Sequence, residues 1–66
     1  MNFKKSLRIA MAMHDLTQGE VATKMGTSNS ALSVAIKRNA VTGNTLQLAA
    51  GAFNMQVSEF IKLGED

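Results

Sequence analysis

The sequence predicts an all-α domain built from five short helices, and three observations carry that expectation. No proline occurs in the 66 residues, so nothing forces a break inside a helix. Val, Ile and Thr are not gathered into the alternating runs that mark strands. Apolar residues instead recur in five segments separated by residues that start or stop helices.

The first segment runs from about Asn2 to His14, where Phe3, Leu7, Ala10 and Met11 form one apolar stripe at i, i+4, i+7 and i+8. Lys4, Lys5 and Arg8 lie off that stripe. The second segment opens on Thr17-Gln18-Gly19-Glu20, a capping box in which the Thr17 hydroxyl accepts from the Glu20 amide and the Glu20 carboxylate from the Thr17 amide. Leu16 and Val21 form the accompanying hydrophobic staple, and Val21, Ala22 and Met25 face inward. Gly26 sits where a left-handed residue ends the helix, giving a helix from Gln18 to Met25.

Ser28 is the N-cap of a third helix, Asn29 to about Arg38, with Leu32, Ala35 and Ile36 inward and Ala31 on their flank. Only Gly26-Thr27-Ser28 joins the second and third helices. So short a joint forces a sharp turn, which is the spacing of a helix-turn-helix unit. A fourth helix follows Thr42 or Asn44 as its cap and runs to Phe53, with Leu46, Ala49, Ala50 and Phe53 inward and Asn54 at its end. A fifth covers about Gln56 to Leu63, with Val57, Phe60 and Ile61 inward and Gly64 as its stop. Met11 and Met13 read as packing residues.

These 66 residues fit one domain spanning 1–66, with an apolar content of 45% that suffices for a core. Burial in so small a core barely offsets the entropy of ordering the chain, so self-association or very regular helix packing is the expected remedy. With no cysteine there is no disulfide, thiolate metal site or cysteine nucleophile. A single His and scattered carboxylates offer no metal site, and no cofactor motif is present. His14 and Asp15 are neighbours on a helix and point about 100° apart, so they make no catalytic dyad; an enzyme is not expected. His14 reads as a helix-end residue facing the dipole. No apolar run reaches the length of a spanning helix and no signal peptide is read, so the expected location is the cytoplasm, with no membrane partner.

Charge is uneven along the chain. Residues 1–38 hold six basic groups against two acids, a net +4, while residues 39–66 hold one base against three acids, a net −2. Such a split suits a protein that turns one side to a polyanion, though it also fits ordinary scatter on a small surface. The third helix is more informative. Its outward face carries Asn29, Ser30, Ser33, Val34 and Lys37. Plain solvation favours Glu and Lys, which are better helix formers than Asn and Ser. Small polar groups suit close approach to another surface, and the DNA major groove matches them. Asn29 can pair with adenine N6 and N7, Ser30 and Ser33 can donate or accept, and Val34 can pack on a thymine methyl. The same residues also fit an ordinary helix start with one stray exposed aliphatic.

The stretch Leu16 to Ser33, reading LTQGEVATKMGTSNSALS, resembles the helix-turn-helix of the Cro/C1-type (lambda-repressor-like) DNA-binding domains. Ala22 falls at the small-residue position of the first motif helix, Gly26 at the turn and Leu32 at the buried aliphatic of the recognition helix. Thr45-Leu46, Ala50, Ala52-Phe53-Asn54-Met55 and Glu59-Phe60 look like the family's fourth and fifth helices, so the resemblance covers nearly the whole chain. Two departures stand out. Ile36 and Arg38 occupy places where many relatives have an acidic residue and then Gly, and the loop Asn39 to Gly43 lacks the Pro often found there.

The resemblance implies a five-helix bundle with a motif over about 17–38 and its third helix in the major groove. It assigns base reading to Asn29, Ser30 and Val34, with Ser33 beside them. It assigns phosphate contact to Gln18, Thr27, Ser28, Lys37, Arg38 and Asn39, with the basic end of the first helix reaching further out. Because no oligomerisation domain follows, a small phage Cro-like repressor is the form implied. Such a protein occupies two half-sites of a double-stranded operator as a homodimer and needs no cofactor or small-molecule ligand. The candidate dimer surface is Met55, Val57, Phe60 and Ile61. An antitoxin, a restriction-modification controller, or an interaction module that has lost DNA binding would share the same pattern.

Overall fold

The computed structural model describes residues 2–39 and 41–65. Five helices follow one another: α1 (Phe3–His14), α2 (Gln18–Met25), α3 (Asn29–Arg38), α4 (Gly43–Ala52) and α5 (Val57–Leu63). Among the described residues the chain is all-α. α1 packs chiefly on α5, and α2 on α3 and α4.

Local chemistry explains where each helix starts. Asn2, Thr17, Ser28 and Thr42 each cap a helix through a side-chain oxygen that accepts a backbone amide of the first turn. The Thr17–Glu20 capping box forms both of its bonds, at 3.2 and 3.0 Å. At α5 the Glu59 carboxylate accepts from the Gln56 amide at 3.2 Å.

The ends of the first four helices share one device. Asp15, Gly26, Asn39 and Asn54 all adopt positive φ, at 53°, 76°, 50° and 56°. At Gly26 the motif is complete: its amide bonds Thr23 O at 3.1 Å while the Thr27 amide bonds Ala22 O at 2.9 Å. Asn54 and Met55 repeat the pair on Gly51 and Ala50, at 3.2 and 2.9 Å. Asp and Asn serve here because they tolerate the left-handed region better than other side chains. Asn39 therefore supplies the left-handed exit from α3.

Phe60 lies at the centre of the core with no exposure. Its ring stands 5.9 Å from that of Phe3 and 6.3 Å from that of Phe53, so it joins α1, the end of α4 and α5. Leu7, Ala10, Val21, Ala22, Met25, Leu32, Ala49 and Ala50 complete the core. The predicted stripes of α1, α2 and α4 thus point inward, with Leu46 and Met11 half-buried at the margin. Three positions differ from expectation, the first being Ile61, which is half-buried but does not pack against the core. Ala31 is exposed, because the buried stripe of α3 narrows to Leu32 with Ala35 and Ile36 beside it. Met13 is 62% exposed and does not pack in the core; it lines an open groove between α1 and α5.

Gly64 is buried for a reason other than stopping α5. Its φ is ordinary, but a Cβ there would meet Ser6 Oγ, and Asn2 O at 2.6 Å. The end of α5 is pressed against the first turn of α1. Gly64→Ala is therefore expected to destabilise the fold by about 1–3 kcal/mol through overpacking. Gly51→Ala, on α4 with open space around it, should stabilise by about 0.5–1 kcal/mol. Urea titration of both variants checks the pair, and equal effects would contradict the close approach.

Candidate nucleic-acid interface

The three-residue joint Gly26-Thr27-Ser28 connects α2 to α3, and the buried Leu32 anchors α3 from one side. That leaves the opposite side uncovered. Asn29, Ser30, Ser33, Val34, Lys37 and Arg38 are all exposed, and Val34 is open over 49% of its surface. Helical spacing lines them up in two rows, Asn29-Ser33-Lys37 and Ser30-Val34-Arg38.

Gln18, the first residue of α2, ties this surface together. Its Nε2 donates to Asn29 Oδ1 at 2.8 Å and to Ser33 Oγ at 2.7 Å. The half-buried Gln18 side chain thus orients two of the four residues assigned to base reading. It also fixes the angle between the two motif helices. Residues eleven and fifteen positions apart carry this link, so no local pattern announces it.

The flanks hold the polar and cationic groups. Thr27 and Ser28 are exposed at the start of α3, where Ser28 Oγ accepts from the Ala31 amide at 3.1 Å. The first amides of a helix and its dipole make that end favourable to an anion. Lys37, Arg38 and Asn39 are exposed at the other end. Asn39 has a second duty: its Oδ1 accepts from the Phe3 amide at 2.8 Å, pinning the exit of α3 to the start of α1. Only its Nδ2 remains to donate to a phosphate.

Lys4 and Arg8 line a shallow groove of about 180 Å³ together with Gln18 and Ile36. The basic side of α1 is thereby continuous with the Gln18 edge of α3, and these two cations join the surface more closely than the sequence indicated. The sequence signals for them were their place off the apolar stripe of α1, the charge imbalance of residues 1–38 and the resemblance. Ile36 is half-buried in the floor of this groove.

The other candidates fall elsewhere. Of the residues proposed for a dimer surface, Met55, Val57 and Ile61 are half-buried, but Phe60 is sealed among Phe3 and Phe53 and offers nothing to a second chain. His14 is exposed and its ring packs 5.4 Å from that of Phe53. Among the described residues no three His, Cys, Asp or Glu side chains come together as a metal site. No described helix is long and apolar enough to cross a membrane.

Glu20 sits at the start of α2 beside this surface, and its carboxyl is held below the usual range. The Thr17 amide bond is the main cause, with the Thr17 hydroxyl and the nearby Lys24 adding to it. A depressed native pKa stabilises the fold above the ordinary carboxylate pKa, and that share is lost as pH falls through the native one. The melting temperature of Glu20→Gln is therefore expected to fall less than that of the parent between neutral pH and about pH 3. Parallel acid profiles would show that the box does not titrate.

Comparison with protein-family models, with curated proteins and with solved structures finds no match to this chain.

Proposed function

We propose that the chain is a sequence-specific, double-stranded DNA-binding regulator of the Cro/C1 type, acting in the bacterial cytoplasm as an operator-bound, two-fold dimer. The observation that carries this reading is the uncovered outer face of α3, where small hydrogen-bonding side chains surround a half-exposed Val34. Asn29 and Ser33 also take the bonds from Gln18 that link α2 to α3, whereas Ser30 and Val34 have no such part in the fold. In the major groove each member has a use: Asn29 on an adenine edge, Ser30 and Ser33 on donors or acceptors, and Val34 on a thymine methyl. Thr27 and Ser28 would hold phosphates at one end of α3, and Lys37, Arg38 and Asn39 at the other; Gln18, assigned to phosphate from the sequence, has both Nε2 hydrogens on Asn29 and Ser33 and orients those residues instead. Those contacts set register and most of the affinity, while the four groove residues set sequence preference. Occupancy of a promoter by such a dimer represses by exclusion.

Selection of bound duplexes from a random pool tests this directly, followed by a salt titration on the enriched sequence. Neutralising about six phosphates predicts log K falling with log salt at a slope near −5. Lys37→Ala should weaken all sequences alike and reduce that slope by about 1. No enriched sequence together with a flat salt response would instead support a protein-binding module.

A further inference from the structure

The bonds that Gln18 makes decide which hydrogen-bonding groups the outer face of α3 has left to offer. Gln18 Nε2 spends one hydrogen on Asn29 Oδ1 at 2.8 Å and the other on Ser33 Oγ at 2.7 Å. Both neighbours therefore act as acceptors toward α2. Asn29 keeps its two Nδ2 hydrogens, and Ser33 keeps its hydroxyl proton. Among the described residues no carbonyl of α3 takes that proton, whereas the Thr23 hydroxyl on α2 spends its own on Gly19 O at 3.0 Å. Asn29 and Ser33 are both exposed, so the remaining hydrogens are open to a ligand. No acidic residue occurs from Val21 to Ser58, so no carboxylate on α3 or α4 supplies an acceptor beside them.

We propose that Gln18 sets the polarity with which α3 reads a duplex, making Ser33 a donor that selects guanine. Guanine alone presents two acceptors and no donor in the major groove, while cytosine presents only a donor. A hydroxyl left free rotates to suit either base. One held by Gln18 has its proton directed away from that nitrogen. Donating the proton also strengthens the bond received from Gln18, because linked hydrogen bonds polarise one another. Asn29 stays compatible with adenine: its Nδ2 donates to N7, and the second lone pair of Oδ1 accepts from N6. Gln18 touches no base in this scheme and is a positioning residue. The inference rests on the reading of α3 as a major-groove helix, and it adds which base lies under Ser33.

Gln18→Glu tests it, because a carboxylate accepts and never donates. Ser33 and Asn29 must then turn their hydrogens toward α2 and present lone pairs outward. Nuclear magnetic resonance of the free protein should show the Gln18 Nε2 hydrogens exchanging with water more slowly than those of Asn29 Nδ2. In Gln18→Glu the Asn29 hydrogens should become slower than they are in the parent. Asn29 hydrogens that are the more protected pair in the parent would overturn the proposal without reference to DNA. On duplexes selected from a random pool, the parent should prefer guanine to cytosine at one position by about fivefold, the worth of one hydrogen bond. Ser33→Ala should lose that preference alone, Ser33→Thr should keep it, and Gln18→Glu should reverse it. A preference that weakens in Gln18→Glu without reversing would leave Gln18 a structural brace and sink this proposal only. A pool that yields no duplex would defeat the DNA reading, and the base assigned to Ser33 with it.

Discussion

Phe60→Ala is expected to leave the chain largely unfolded at ordinary temperatures. The side chain is fully buried and touches aromatic rings from two other segments, so its loss removes the contact that holds α1, α4 and α5 together. Deleting a buried phenylalanine costs about 3–5 kcal/mol, part of it for the cavity left behind. A chain of this length has a total stability of only about 3–10 kcal/mol. Phe60→Leu keeps most of the volume and should remain folded, while Val34→Ala, on the open face of α3, should change stability little. Far-ultraviolet circular dichroism of the three variants checks the order. A folded Phe60→Ala of parental stability would mean that the core is not organised around this ring.

Asn29→Ala carries the second large effect, on binding more than on folding. If Asn29 pairs with an adenine edge, its loss should cost about 1–3 kcal/mol per half-site and relax preference at a single base pair. Stability should fall by about 1 kcal/mol, the worth of the bond lost from Gln18, since Asn29 is exposed and Ser28 still caps α3. Gln18→Ala should weaken the same preference, because Gln18 Nε2 holds the Asn29 oxygen at 2.8 Å. It should also affect Ser33, the other partner of that nitrogen. The signature is therefore specific: Asn29→Ala flattens one position of the binding profile, and Gln18→Ala flattens that position and a neighbour while loosening binding overall. Competition binding against single-base variants of the selected operator reads both. If Asn29→Ala discriminates among those variants as the parent does, the assignment of this side chain to a base edge is wrong.

What could be read in advance divides along a physical line. The capping box at Thr17 and Glu20 and the cap at Ser28 are local, formed by residues three apart, so their types and spacing suffice to place α2 and α3. The outward face of α3 was legible for the same reason, since helical geometry alone separates Leu32 from Ser30, Ser33 and Val34. Other features arise from contacts between distant residues. Gly64 ends α5 as its sequence position indicates, but its close approach to the first turn of α1 comes only from the fold. Asn39 looked like a phosphate ligand, and its oxygen bonds an amide 36 positions away. Phe60 was both an inward residue and an interface candidate until the two other rings around it removed the second role. Met13 has the spacing of a packing residue, and only the placement of α5 leaves it open.

Nuclear magnetic resonance of the labelled protein, titrated with the duplex selected from a random pool, addresses the central claim most directly. The account predicts that the largest amide shifts fall on Asn29, Ser30, Ser33 and Val34, with the side-chain amide of Gln18 moving alongside them and weaker changes at Lys4, Arg8, Lys37 and Arg38. Shifts centred on the α1–α5 groove with α3 silent would contradict it.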